Sequence, residues 1–386
     1  MRRRPKRATL KAASLLRIAA IVLVPILLSG CYIARAAYEQ GRILWHRKPI
    51  DDALARGDLS ADVRAKLETV LAVRKFAAEK LDLNVGGAYS SFAPVDKSAV
   101  VYVVMAAPRD SLVPYTWWFP IVGRVPYRGY FDENDAKAEA AALDAQGLDT
   151  MVRPSVAFSS LGFFSDPLLT NLLKLDRVEL AGVLIHELFH RTYYMAGDAM
   201  FNESAANYVG NAGAIAFFAA TDGESAPSTI AARAILESDL KFARFLLKEQ
   251  ARLLNIYMAD LPKKELDQRR EAAFAQIKAD YAVLEPTLSG LERFGLDKEP
   301  LNNAVLINYL IYFHELDNFA ALDRMNHGDL RATIAQIISI AKAHTDDPFY
   351  AIREVTRAAP PIPADNQASS AAPITRDNSA SPPPKK

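Results

Sequence analysis

The stretch Gly182-Val183-Leu184-Ile185-His186-Glu187-Leu188-Phe189-His190 decides the reading of this chain. It contains the pattern H-E-x-x-H. On an α-helix, residues four apart share one face, so both imidazoles reach toward one point and Glu187 stands beside it. Val183, Leu184, Ile185, Leu188 and Phe189 are apolar, as burial of the rest of such a helix requires. A histidine pair at this spacing holds Zn2+, and the intervening glutamate is placed to take a proton from a water molecule. The helix is expected over 176–196.

Zinc in a hydrolase takes three protein ligands and keeps one position open. A third histidine six residues after His190 is absent, because Ala196 stands there. The carboxylates that follow are Asp198 and Glu203. Gly197 is suited to end the first helix, and Asn202-Glu203-Ser204-Ala205-Ala206-Asn207 to open a second over 202–220. A short turn between the two brings Glu203 back as the third ligand. Asp198 then either orients a ligand or is a plain turn residue.

His186-Glu187-x-x-His190 followed by Asn202-Glu203-Ser204-x-Ala206 resembles the gluzincin pattern, in which a second helix supplies a glutamate ligand. The chain is also similar, over most of residues 31–330, to a family of bacterial predicted aminopeptidases that are often lipoproteins. The shared features are the Cys31 region, Val125-Pro126-Tyr127-Arg128-Gly129-Tyr130-Phe131, the H-E-x-x-H helix, Phe201-Asn202-Glu203-Ser204 and Asn302-Asn303-Ala304. The resemblance implies zinc-dependent hydrolysis of peptides with Glu187 as general base. It also implies an oxyanion donor from a later helix, for which Tyr309, Tyr312 and His314 are the candidates. By the same likeness, substrate main chain would lie along the strand near Ser155 to Ser159. The amine-capturing motif G-x-M-E-N of the well-known gluzincin aminopeptidases is missing, so exopeptidase and endopeptidase action both stay open.

Toward the N-terminus, residues 1–17 are basic, and Ile18 to Leu28 is an apolar run broken only by Pro25. A membrane-spanning helix needs about 20 apolar residues, so this segment reads as a secretory signal instead. Leu28-Ser29-Gly30-Cys31 resembles the bacterial lipobox, with cleavage before the sole cysteine and a lipid on its thiol. The expectation is a signal peptide over 1–30 and a lipid anchor at Cys31. Tyr32, in place of an acid, points to the outer membrane facing the periplasm. The alternative is an uncleaved signal anchor.

The 386 residues are 51% hydrophobic and 24% charged, ordinary for a globular protein. Seven basic residues and no acid precede residue 31, so a chain of net charge +1 carries −6 in its remainder. That balance gives no electrostatic reason for nucleic-acid binding. With one cysteine, no intrachain disulfide forms.

Apolar periodicity predicts helices over 33–47 and 60–82, and an Ala-rich one over 135–145. Ser98 to Met105, Tyr115 to Phe131 and Thr150 to Ser159 read as strands, with Pro154 suited to a sheet edge. Trp117-Trp118-Phe119 reads as core or as a pocket wall. Further helices are expected over 228–258, 263–295, 300–320 and 328–344. The predicted fold class is α+β, predominantly α-helical, with a small antiparallel or mixed sheet ahead of a zincin-like helical catalytic region. Its parts are N-terminal helices over 33–95, a sheet over 96–160, zinc-site helices over 176–220 and C-terminal helices over 228–345. A unit over 31–357 precedes a disordered Pro/Ala/Ser-rich tail over 358–386. Two other functions fit the same residues. One is a non-catalytic zinc-binding envelope lipoprotein, and the other a hydrolase of cell-wall peptides.

Overall fold

Helices dominate the chain and the strands form three small sheets, as the composition of the segments predicts. The computed structural model describes residues 38, 41–95, 101–119, 123–155, 166–290, 294–297 and 300–357. The predicted signal segment, Cys31 and the tail from 358 lie outside the described residues.

The largest sheet holds β3 (Val101–Pro108) between β6 (Arg128–Tyr130) and β7 (Leu148–Ser155), all antiparallel. Its register pairs Val101 with Ser155 and Pro108 with Leu148. Among the described residues β7 is an edge, the position that Pro154 favours. β3 runs to Pro108, past the expected end at Met105. Of the expected strand near Ser155 to Ser159, only Ser155 lies within the described residues. The strand alternation sends one face of the sheet to α3 (Glu133–Asp144), through Val104, Ala106 and Val152. The other face, with Val103, Met105 and Met151, meets Ala304, Ile307 and Ile311 of α8 (Asn303–Phe313). β1 (Lys48–Pro49), β2 (Ser91–Ala93) and β8 (Leu168–Leu169) form a mixed sheet, and β4 (Trp117–Phe119) and β5 (Gly123–Val125) a hairpin. Trp118 is exposed on it, so the aromatic run is only partly core.

Short α1 (Ile50–Arg56) leads to α2 (Ala61–Lys80), which packs against α4 (Arg177–Thr192). Asp176 caps α4 by accepting from the backbone N–H groups of Val178 and Glu179 at 2.7 and 2.8 Å. Leu180, Leu184, Ile185, Leu188 and Phe189 are fully buried. α5 (Ala199–Thr221) follows after a turn in which Gly197 takes φ 89°. The helix begins earlier than the expected Asn202, because Asp198 caps it through the Phe201 N–H at 2.9 Å.

α4 and α5 touch backbone to backbone. A Cβ at Gly210 would lie 2.7 Å from the Gly182 carbonyl oxygen and 3.1 Å from His186 Cβ. One at Gly213 would lie 2.8 Å from Ile185. Gly210→Ala therefore forces the helices apart, which costs about 1–3 kcal/mol and outweighs the roughly 1 kcal/mol gained in helix propensity. Thermal denaturation should show a lower midpoint for this variant; an unchanged or higher one would show that the approach is not tight.

α6 (Pro227–Tyr257) packs on α5 and α8 and pairs with α7 (Lys263–Leu284). α7 is shorter than the expected 263–295, since it gives way to a 3-10 turn at Glu285–Thr287 that contains Pro286. The single helix expected over 300–320 is two. α8 ends at Phe313, Glu315 adopts φ 51°, and α9 (Leu316–Met325) starts on a new axis. α10 (Leu330–Ala343) falls where expected, and α11 (Pro348–Thr356) was not anticipated. Among the described residues no helix is long and apolar enough to cross a membrane.

Candidate metal centre

His186 and His190 stand one turn apart on α4, and Glu203 faces them from the first turns of α5. His186 Nε2 lies 3.1 Å from His190 Nε2 and 3.2 Å from Glu203 Oε2, and His190 Nε2 lies 3.4 Å from the same oxygen. A tetrahedral cation with bonds of about 2.0–2.2 Å needs ligand atoms about 3.3–3.5 Å apart. The three edges come within about 0.2 Å of that spacing, and the donor set of two imidazoles and a carboxylate suits a divalent metal. His190 and Glu203 are only 4% and 8% exposed, so water competes poorly for the site. Burial alone would raise the Glu203 carboxyl, but the His190 and His186 imidazoles outweigh it and hold the group well below the ordinary carboxylate range. Glu203 is thus a charged, ready ligand.

Polar residues around Glu203 fasten its helix in place. Asn202 accepts from the Met195 N–H at 2.8 Å and donates to the Met195 carbonyl at 2.7 Å, clamping the turn between the helices. Ser204 donates to the Ile311 carbonyl and accepts from the His314 N–H. Asn207 donates to the Tyr312 carbonyl at 3.0 Å. The polar face of Asn202-Glu203-Ser204-x-x-Asn207 is therefore spent on locking α5 to the turn and to α8. At the other end of the site, Asn84 donates its backbone N–H to Thr192 Oγ1, and Arg191 reaches out to the Asn84 carbonyl.

Glu187 lies near enough to His190 and Tyr312 for its charge to act on both. Its Oε2 is buried and has no hydrogen-bond partner among the described residues. A buried carboxylate oxygen without a donor is costly unless a ligand, ion or water serves it. His190 Nδ1 is in the same position. Asp198 does not orient it: its carboxylate caps α5, and burial raises its pKa.

Of the three oxyanion candidates, one is at the group. The Tyr312 ring stacks on His186 with centroids 6.4 Å apart. Burial, then the Glu203 charge, raises its phenol, so it stays protonated and able to donate. Tyr309 instead packs edge-on against Phe242 at 5.5 Å, in the aromatic core of α6 and α8. His314 sits at the helix break, its ring on Phe349 and its Nε2 3.4 Å from Glu315.

Three neighbours escaped the sequence reading. The Tyr127 hydroxyl donates to Glu203 Oε1 at 3.4 Å, and burial with that carboxylate raises its pKa strongly. Tyr194 meets His190 edge-on at 6.3 Å, and burial ahead of Glu203 pushes it up to about 12. Arg153, on β7, donates to Asn308 Oδ1 at 2.7 Å and to the Tyr312 hydroxyl at 3.2 Å. The aromatic Val125–Phe131 run was a signal for Tyr127; nothing local marked Arg153.

Residues 31–348 match the model of a family described as "Putative aminopeptidase". No curated protein and no solved structure matches the chain.

Proposed function

The chain belongs to this aminopeptidase family, and we propose that it is a zinc-dependent peptidase of the gluzincin type, acting as an aminopeptidase. The observation that carries the reading is the convergence of His186, His190 and Glu203 within 3.4 Å beside the unpartnered Glu187 oxygen. Two imidazoles and one carboxylate form a three-ligand hydrolytic set, whereas purely structural zinc sites are closed and rich in cysteine. A zinc ion held there supplies Lewis acidity, polarising a carbonyl and lowering the pKa of a water to about 7.

Glu187 accepts the proton of the attacking water and passes it to the leaving amine. A residue without a competing hydrogen bond is free for both transfers. Tyr312 keeps its phenolic proton and donates it as a hydrogen bond to the developing oxyanion. Tyr127 holds Glu203 from the side away from the histidines.

Tyr312→Phe removes one donor and keeps the ring. Loss of an oxyanion donor costs roughly 100-fold in kcat. Steady-state hydrolysis of a peptide should show that loss with metal content intact; a variant as fast as the parent would remove Tyr312 from the chemistry.

The reading extends to the envelope. A lipid on Cys31 after removal of 1–30 would tether the peptidase to the outer membrane facing the periplasm, with peptides as substrates. The lipobox-like Leu28-Ser29-Gly30-Cys31 supports this, as does a family match that begins at Cys31. Cys31→Ser should abolish labelling by radioactive palmitate in growing bacteria. Persistent labelling would show that the lipid, if any, is elsewhere.

A further inference from the structure

β7 carries its side chains alternately to the two faces of its sheet, and Asp149, Met151 and Arg153 all turn to α8. Asp149 accepts the Asn303 N–H at 3.0 Å, Met151 joins the apolar contact with Ile307 and Ile311, and Arg153 reaches Asn308 and Tyr312. The last of these stands where α8 passes the metal group. Its guanidinium carbon is 5.8 Å from the Tyr312 ring centroid, and that ring lies over His186.

Both of its partners, an amide oxygen and a phenol, are neutral. Among the described residues no carboxylate lies within ion-pair distance of Arg153, and its Nη1 makes no hydrogen bond. Half-buried Arg128 and Arg252 and buried Arg270 each meet a carboxylate, whereas half-buried Arg74 donates to the Ala88 and Gly86 carbonyls. A half-buried cation without a counterion leaves its charge available to an anion, and a planar guanidinium suits bidentate binding of a carboxylate.

We propose that Arg153 is a subsite for a substrate carboxylate, one or two residues beyond the bond that is cut. This rests on the peptidase reading above. An extended peptide advances about 3.3–3.6 Å per residue, so a carboxylate at Arg153, one phenol away from His186, belongs to the first or second residue after the scissile bond. Among the described residues β3 alone pairs with β7, and such a peptide can lie along the other edge of Leu148 to Pro154. With a divalent cation in place, three positive charges, Arg153 included, face the two carboxylates of Glu187 and Glu203. The remaining positive charge favours an anionic ligand. That carboxylate is either the free C-terminus of a di- or tripeptide or an acidic side chain.

The test uses three alanine-based di- and tripeptide series: free C-terminal acids, C-terminal amides, and amides carrying Glu after the scissile bond. Arg153→Met and Arg153→Lys proteins are compared with the parent. A charge-assisted pair supports a ratio of about tenfold or more. The parent should therefore have a kcat/KM about tenfold or more higher for a carboxylate-bearing series than for the neutral amides. Arg153→Met should bring that ratio near one, and Arg153→Lys should keep part of it. Preference for free acids identifies the C-terminus as the source; preference for the Glu amides identifies the side chain. Calorimetric titration of the Glu187→Gln protein with the same peptides reads the subsite without turnover. Equal rates on acids, Glu amides and neutral amides would overturn the subsite and leave the peptidase standing. Arg153-dependent binding of acids with no hydrolysis of any peptide would do the reverse. An equal loss on all three series in Arg153→Met would also overturn it, making Arg153 a residue that only positions Tyr312.

Discussion

Replacing Glu187 by glutamine should lower kcat/KM for peptide hydrolysis about 1,000-fold while leaving one metal ion bound per chain. Positioned general bases contribute about 100- to 10,000-fold, and Glu187 is asked to act twice, on the water and on the leaving amine. Glutamine preserves the shape and can donate or accept a hydrogen bond, but it cannot take the proton. The three proposed metal ligands are other residues, so metal content is the control that separates lost chemistry from a lost site. The buried Oε2 has no partner to lose among the described residues, and stability should change little. Full activity in a metal-replete Glu187→Gln protein would end the proposed mechanism.

The second large effect is on the metal. Glu203→Gln exchanges the one anionic member of the proposed ligand set for a neutral amide at unchanged size. Removing an outer partner of a ligand already costs about 10- to 100-fold in metal affinity, and a ligand's own charge should cost at least about 100-fold. Competition with a coloured chelator measures this directly. The loss carries a stability signature as well. A metal that binds only the folded chain stabilises it with the logarithm of its free concentration relative to Kd, by about 4 kcal/mol at a thousandfold excess over Kd. The parent should therefore melt at a lower temperature once stripped by chelator, whereas Glu203→Gln should be far less sensitive to it. Equal affinities in the two proteins would mean that Glu203 is not a ligand.

Local spacing made part of this legible in the sequence. His186, Glu187 and His190 lie on one helix, and four-residue periodicity places them without reference to the rest of the chain. Glu203 required one further step, a short turn after Gly197, whereas the close approach at Gly210 and Gly213 is visible only in the folded helix pair. The α+β class and the helices around 60–82, 228–258 and 328–344 followed from apolar periodicity for the same reason. What escaped depends on contacts between distant segments. Arg153 meets Tyr312 across 159 residues of sequence, and Tyr127 meets Glu203 across 76. The break between α8 and α9 was hidden because Glu315, not a glycine or proline, takes the left-handed conformation there. That break separates the fates of three candidates. Tyr312 ends beside His186, Tyr309 turns one helical face away into the Phe242 cluster, and His314 is pulled to Phe349. Asp198 was read as a possible orienting group when its carboxylate was needed as the cap of α5.

The most direct test is the digestion of a defined peptide mixture by the purified protein, before and after stripping by a chelator and again after adding back one equivalent of Zn2+, with the products read by mass spectrometry. The account predicts N-terminal trimming that the chelator abolishes and zinc restores. Cleavage that continues undiminished in the stripped protein would contradict it.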